Sequence, residues 1–354
     1  MRNTKLFGGL VLGILLLVGI SGAVSRAYES DALVKKGNDL LAQGYVEDAL
    51  GTYSQAIKVD TSNSVAYYDR ANVYCDSGEY DLAMLDLNQA LKHDPHYVNA
   101  YICRGNVLRY RGDYDLAIVD YNQVLKLDSN CARAYIGRGN TYLNKSRDFL
   151  ALLDFGRAIG LDPNNAEAYK GRGDVHAYRG EYDLAVADYA RALSLNPKYV
   201  SAYSSRGVAY SHKREDDLAI QDFDQALKLN PNDTATYYSR GNAYDSNGEY
   251  DLAIRDYSQV LRLNPNYADA YSARGSARTE KGDYEAAIQD YKQAFKLDSS
   301  LVTTFYGQAR AYELAGRTAD AVACYEHFLI IASPADSQLV VRAKSRIQTL
   351  KQVR

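Results

Sequence analysis

The chain has 354 residues, 47% of them apolar, which is enough to bury an extended core. Its 41 basic residues nearly balance 44 acidic ones, and the net charge of −3 argues against a sequence-independent nucleic-acid binder held by phosphate contacts. Thirty-three tyrosines stand beside no tryptophan, an imbalance that the periodicity below explains.

Arg2 and Lys5 precede an uncharged run from Leu6 to Val24. Its nineteen residues are about what a helix needs to cross a hydrocarbon core of roughly 30 Å. Small residues at Ser21 and Ala23, and again at Ser25 and Ala27, also fit the cleavage frame of a secretory signal. Residues 1–27 are therefore expected to be either a single-helix membrane anchor or a signal peptide. The basic start places the rest on the outer side of a membrane, anchored there or periplasmic or secreted after cleavage.

From residue 30 onward an alanine recurs every 34 residues without a slip: Ala49, Ala83, Ala117, Ala151, Ala185, Ala219, Ala253, Ala287 and Ala321. A fixed period of this kind decides architecture before local propensity does. It divides the chain into nine units, 30–63, 64–97, 98–131, 132–165, 166–199, 200–233, 234–267, 268–301 and 302–335. The eighth position of each unit is small, as at Gly37, Ala71 and Gly105, and the fourth is usually Tyr, as at Tyr67, Tyr101 and Tyr135. The twenty-fourth is aromatic in all but one unit, where Leu87 stands, and the thirty-second is often Pro, as at Pro95 and Pro163.

Apolar positions 4, 8, 11 and then 17, 20, 24, 27 have the three-to-four spacing of two amphipathic helices. Glycine at position 15 (Gly44, Gly78, Gly112, Gly180, Gly248, Gly282, Gly316) takes positive φ and turns the chain between them. Antiparallel pairing then sets the small residue at 8 against the bulky one at 24, Gly105 against Tyr121, so that the helix axes approach closely. Proline at 32 stops the second helix. Units four and six depart, with Ser146 and Arg214 at the glycine's place and Asp148 and Asp216 at the aromatic's, which predicts looser or differently packed turns. Ser333 and Pro334 read as the N-cap and first position of a last helix, and within 336–354 Leu339, Ala343, Ile347 and Leu350 share one face, as a capping helix requires.

This pattern resembles the tetratricopeptide repeat (TPR) family over residues 30–335: small at 8, aromatic at 11 (Tyr74, Tyr142, Tyr210, Tyr244), alanine at 20, aromatic at 24, alanine at 27 (Ala56, Ala90, Ala158, Ala192, Ala226) and proline at 32. Tyr replaces the family's usual tryptophan at position 4. The resemblance implies an all-α fold, a right-handed α-α superhelix (TPR solenoid) of nine helix-turn-helix repeats with a C-terminal capping helix. It further implies a non-catalytic protein–protein interaction scaffold whose concave groove binds partner peptides or helices. Positions 2, 5, 9, 12 and 13 of the first helices line that groove, which makes Asn72, Asn106, Asn140 and Asn242 candidates together with Tyr68, Tyr110, Tyr178 and Tyr238. An amide both donates and accepts hydrogen bonds to a peptide backbone, and tyrosines anchor side chains. Asn at position 9 is equally read as a structural habit of the family. The carboxylate clamp of chaperone-binding members is absent, because the one Lys at position 5, Lys170, is paired in the pattern with Asp174 rather than Asn. Two alternatives stay open, a structural protein that self-assembles end to end and a recruiter of envelope polysaccharide- or peptidoglycan-processing enzymes.

Two charges recur beyond that pattern. Position 7 is Arg70, Arg104, Arg138, Arg172, Arg206, Arg240 and Arg274, and position 23 is Asp86, Asp120, Asp154, Asp188, Asp222, Asp256 and Asp290. The two places lie nearly level across a hairpin, which predicts a structural Arg–Asp ladder. The five His are scattered, the four Cys lack metal-ligand spacing, and no nucleophile elbow, phosphate loop or zinc-protease motif occurs, so no catalytic residue, metal, cofactor or small-molecule substrate is expected. A Cys75–Cys103 or Cys103–Cys131 bridge requires Cα atoms within about 7 Å; otherwise these are small packed thiols.

Overall fold

The computed structural model describes residues 24–333 and 336–352, and all regular structure among them is helical. The segment read as anchor or signal lies outside them through residue 23, and among the described residues no helix is long and apolar enough to cross a membrane. The chain divides at Val175 and His176 into two compact units. The first contains α1 (24–42) and α2 (Val46–Val59), α3 (Ser64–Asp76) and α4 (Tyr80–His93), α5 (Val98–Tyr110) and α6 (Tyr114–Leu127), and α7 (Ala132–Asn144) and α8 (Asp148–Leu161). The division falls within α9 (Ala166–Tyr178). The second unit contains α10 (Tyr182–Leu195), α11 (Val200–His212) and α12 (Asp216–Leu229), α13 (Thr234–Ser246) and α14 (Tyr250–Leu263), α15 (Ala268–Lys281) and α16 (Tyr284–Leu297), α17 (Thr303–Leu314) and α18 (Thr318–Ile331), and finally α19 (Ser337–Gln352). Within each unit successive helices pack on one another, and first helices of neighbouring repeats also touch, α3 with α5 and α11 with α13 among them.

All nine periodic alanines have no solvent exposure. The residue at 24 is the core's bulk: Tyr53, Tyr121, Phe155, Phe223 and Leu87 are fully buried as well. The rings of Tyr53, Tyr121, Phe155, Phe223, Tyr257 and Tyr291 each lie against a glycine in their own repeat and, for Tyr121, Phe155 and Tyr291, another in the next. A Cβ on Gly105 would come to 2.9 Å from the Tyr121 ring, and one on Gly137 to 2.5 Å from the same ring. Phe155 lies in the same way between Gly139 and Gly171. From the third repeat on, position 6 is thus a second small-residue position (Cys103, Gly137, Gly171, Ser205, Ser239, Ala273, Gly307), which the helix pattern alone did not single out.

The second helices stop on residue 31. Asp60, Asp94, Asp128, Asp162, Asn196, Asn230, Asn264 and Asp298 each accept the backbone N–H two residues on, at 2.8–3.3 Å. Such a local bond competes with the helical ladder. It operates in repeats without a proline, after Asp60 and Asp128, as well as in those with one.

The first helices end in left-handed turns at all seven glycines of position 15. Ser146 and Arg214 adopt the same region, at φ 52° and 63°, so these turns are not looser. Their main-chain closure is also the same: Arg147 N–H donates to Tyr142 O at 2.8 Å and Glu215 N–H to Tyr210 O at 3.0 Å, as Asp113 N–H does to Leu108 O at 2.8 Å. The closing bonds need no particular side chain, and they hold a residue that is itself strained. What differs is packing, since Asp216 accepts the Ser246 hydroxyl at 2.9 Å and Phe149 is 69% exposed. A left-handed non-glycine residue costs about 1–2 kcal/mol. Arg214→Gly is therefore expected to raise stability by about 1 kcal/mol and Gly112→Ala to lower it by a similar amount, read as opposite shifts of the urea midpoint at unchanged slope.

Helix α19 runs from Ser337 with Asp336 in a 3₁₀ turn before it, and the Ser333 N–H and hydroxyl donate to the Asp336 carboxylate at 2.8 and 2.9 Å; the Pro334 start read from the sequence lies outside the described residues. Ala343 is buried, and Leu339, Val340, Ile347 and Leu350 pack beside it against Tyr325 and Phe328. Two of its basic residues are engaged, Arg346 with Glu313 and Lys351 with Glu326.

Candidate partner-binding face

The recurring charges sit at the seams between repeats. Arg70, Arg104, Arg138, Arg206, Arg240 and Arg274 each form a two-pronged pair with Asp86, Asp120, Asp154, Asp222, Asp256 and Asp290, at 2.7–2.9 Å. The remaining members, Arg172 and Asp188, fall in different units. The third guanidinium nitrogen commonly reaches back to position 25 of the previous repeat: Arg70 to Ser54 at 2.9 Å, Arg104 to Asn88 at 2.8 Å and Arg274 to Ser258 at 3.0 Å. The face of a tyrosine at position 4 covers the cation, as Tyr101 does for Arg104 with 5.5 Å to the ring centre. Hydrogen bonding to its aspartate raises the basicity of Arg104 against the effect of burial. These arginines bind their own chain and are not a phosphate-reading row.

The first-helix residues divide by what they touch. Tyr121 OH donates to Asn106 Oδ1 and Tyr257 OH to Asn242 Oδ1, both at 2.8 Å, as Tyr53 OH does to Asn38 Oδ1 at 2.6 Å. Burial pushes the Tyr53 and Tyr121 phenols up to about 12, so both remain donors at neutral pH. In these three repeats position 9 satisfies the hydroxyl at position 24; where that residue is Phe223 the ninth is Val208, and in the last repeat, with Arg310 at position 9, the Tyr325 hydroxyl donates to Glu313 at 3.0 Å instead. Asn106 and Asn242 therefore have a structural task. Asn140 shares its hairpin with Phe155 and Asn72 with Leu87, neither of which has a hydroxyl, and Asn72 Oδ1 instead accepts the Cys103 thiol at 3.4 Å.

The tyrosines separate similarly. Tyr68 and Tyr238 are half-buried, with ring centres 5.0 Å from Tyr97 and 5.2 Å from Tyr267, and form walls. Tyr110 and Tyr178 stand 63% and 64% exposed. Tyr110 stacks on Tyr80 at 6.0 Å, with the Arg109 guanidinium 4.5 Å from its centre.

Each unit has a pocket between adjacent first helices. In the first unit Asn72, Cys75, Asp76, Tyr80, Cys103 and Tyr110 surround about 320 Å³, with Asn106 and Val107 behind them. In the second, Val208, Ser211, His212, Asp216, Ser239 and Asn242 are among the residues around about 290 Å³. The two occupy the same repeat positions; where Tyr110 stacks on Tyr80 in the first, the second has Ser246 donating to Asp216 at 2.9 Å, and the stack of His212 on Tyr182 at 4.7 Å lies one repeat earlier. Asn72, Asn106 and Tyr110 are thereby brought together, while Asn140, Tyr68, Tyr178 and Tyr238 line neither pocket. Cys75, Cys103, Tyr80 and His212 were not singled out beforehand as part of such a face, because no motif marks them; repeat position alone does. Asp245, also on this face at position 12, has a buried carboxylate oxygen without a hydrogen-bond partner, and burial, then Glu280, raises its pKa. Among the described residues no three His, Cys, Asp or Glu side chains converge as a metal site.

The paired helices, their period and these seams define a repeat scaffold. The family description "Tetratricopeptide repeat" matches residues 200–233 and 234–267, and "TPR repeat" matches 71–108, 105–146, 173–213 and 275–316. Together they span more than half of the chain, which belongs to the TPR family. DnaJ homolog subfamily C member 3 of Gallus gallus is 41% identical over 59 residues, a segment covering 17% of this chain and only 12% of that protein. Among solved structures, the APC/C hetero-tetramer Cut9–Hcn1 is similar with a TM-score of 0.57 at 17% identity, covering 89% of this chain and 76% of that one. The C-terminal part of a TPR repeat-containing protein of Cytophaga hutchinsonii has a TM-score of 0.54 at 20% identity, covering 68% of this chain and 98% of that one. At such identities these structures attest the fold alone. The fold class suggests interaction with other proteins.

Proposed function

We propose that this protein is a non-catalytic scaffold that holds an extended peptide or a helix of a partner protein along its first-helix face. The observation that carries this reading is the pocket beside Tyr110. The exposed Tyr110 ring stacked on the half-buried Tyr80, the Asn72 amide and a carboxylate at Asp76 border one cleft of side-chain size. Stacked tyrosines supply apolar area at low entropic cost, and Asn72 and Asn140 supply donors for a backbone carbonyl. The proposal includes export: Arg2 and Lys5 before the uncharged run from Leu6 to Val24 would carry the repeats to the outer side of a membrane, anchored or released.

The test is site-specific photo-crosslinking with the full chain in native membranes. Probes at Tyr110 and Asn140 are expected to capture a common partner, and a probe at Leu85 on the second-helix face is not. Tyr110→Ala should weaken that partner's binding about tenfold, the scale of an aromatic anchor. Capture from Leu85 alone would move the site to the second helices. Self-assembly has one observation in its favour, an exposed apolar row at Leu82, Leu85, Leu116, Val119, Leu150 and Leu153. It predicts capture only of the protein itself, with a sedimentation coefficient that rises with concentration.

A further inference from the structure

Cys75 on α3 and Cys103 on α5 place their sulfurs 3.6 Å apart at the edge of the first unit's pocket. Both are free thiols and both are partly exposed. The positions they occupy, twelfth in one repeat and sixth in the next, hold Ser211 and Ser239 in the equivalent pocket of the second unit. The local packing admits the second sulfur. Position 6 faces the bulky residue at 24 of the preceding repeat; beside the Phe155 and Tyr291 rings it is glycine, Gly171 and Gly307, while Asp69 after Tyr53 and Ser239 after Phe223 show that larger side chains are also held there. Before Cys103 that residue is Leu87, the one non-aromatic member of the series, and both cysteines pack against the cluster it belongs to.

We propose that Cys75 and Cys103 form a reversible disulfide that fastens α3 to α5 at the mouth of this pocket, with a small-molecule or protein disulfide as the oxidant. A bond of about 2.05 Å is reached from the present separation by rotating the two side chains toward each other, since both already lie on neighbouring helices of one packed unit. The Cys75 thiolate attacks one sulfur of the donor disulfide, and the displaced thiolate takes up a proton. The Cys103 thiol then gives its proton to solvent, its thiolate attacks the Cys75 sulfur of the mixed disulfide, and the second donor thiolate leaves. In sum, two cysteine thiols are oxidised to one disulfide and one donor disulfide is reduced to two thiols. The order follows from the contact between them: it holds the Cys75 thiol below its ordinary pKa, while the same contact and burial push Cys103 up. The inference does not depend on what the face binds, but closure would fix the wall that Tyr110 and Asn106 share with Cys103. An exported chain would hold the bridge closed in its resting state.

The test uses the reduced full-length protein equilibrated with excess oxidised glutathione, alkylated and mapped by mass spectrometry. A peptide pair linking Cys75 to Cys103, about 2 Da lighter than its two thiol forms and within one chain, is expected, with Cys131 and Cys324 still alkylated. Cys103→Ser should leave Cys75 as a lasting glutathione adduct. Amide exchange in α3 and α5 should slow on oxidation. Recovery of both cysteines as alkylated or glutathionylated residues without a link, or a link between chains, overturns the proposal. So does a link accompanied by faster exchange in α3 and α5, because the bridge would then form only from an opened chain.

Discussion

Arg104→Met is expected to destabilise the first unit by about 3–5 kcal/mol, among the largest effects of any single substitution on the second-helix side. The reason is what remains behind. The Asp120 side chain is 4% exposed, and both of its oxygens are satisfied by Arg104, at 2.7 and 2.8 Å. Methionine fills much of the arginine's volume, so the loss is electrostatic: a carboxylate stays buried without its cation. Asp120→Asn should cost less, because Arg104 keeps its bond to Asn88, its place over the Tyr101 ring and partial access to water. The double variant Arg104→Met with Asp120→Leu should recover most of the loss, since a buried ion pair replaced by matched apolar groups is often close to neutral. Arg104 also bonds across the seam between repeats, so its removal weakens a nearest-neighbour interface as well as a hairpin. Urea unfolding should accordingly show a lower midpoint together with a shallower slope, where Asn88→Ala, on the exposed rim of the same seam, shifts the midpoint by only about 0.5–1.5 kcal/mol. An unchanged midpoint for Arg104→Met would mean that solvent reaches Asp120 and that the pair is an exposed one.

The helical class and the paired packing were legible because one alanine per 34 residues marks where two helix axes come closest, and nothing but a small buried side chain fits there. The seam contacts of the arginines were less so. The level pairing of positions 7 and 23 could be read from a hairpin, but the bond from Arg104 to Asn88 joins residues of different hairpins and depends on how repeats stack. The role of position 31 was hidden behind the more conspicuous proline at 32, although Asp60 and Asp128 do the same work without one. Of the two readings that Ser146 and Arg214 left open, a looser turn or a differently packed one, the second holds: main-chain bonds from Arg147 to Tyr142 and from Glu215 to Tyr210 close the left-handed turn on whatever residue is there. On the candidate face, the asparagines at position 9 look alike in sequence and differ in structure. What distinguishes them is fifteen residues away, a hydroxyl at Tyr121 or Tyr257 and none at Phe155 or Leu87. The Cys75 and Cys103 pair was visible as a spacing, but only the apposition of α3 and α5 brings the sulfurs together.

Gly137→Ala is expected to destabilise by about 1–3 kcal/mol although it replaces glycine inside a helix, where alanine ordinarily gains about 0.5–1 kcal/mol. The added Cβ would meet two ring atoms of Tyr121 at 2.5 and 2.7 Å and its hydroxyl oxygen at 3.0 Å. That ring has no way to yield: it is fully buried, Gly105 flanks it on the other side, and its hydroxyl is held by Asn106. Moving the ring would break that bond or press it into α5, and moving α7 would open the seam beside it. Glycines with open surroundings provide the control. Gly51 in α2 and Gly156 in α8 have nothing within 4 Å of a Cβ, so Gly51→Ala and Gly156→Ala should stabilise by the ordinary helix-propensity gain. The sign of the effect therefore separates packing from propensity, two contributions that helix statistics combine. A further variant decides whether the ring is responsible. Leu87 shows that this position accepts a leucine when a larger residue than glycine follows at position 6, so Gly137→Ala combined with Tyr121→Leu should lose less than the two single changes added together. If the losses simply add, the glycine is small for some reason other than the ring beside it, and the pairing of large with small that sets the distance between repeats is not the determinant described here.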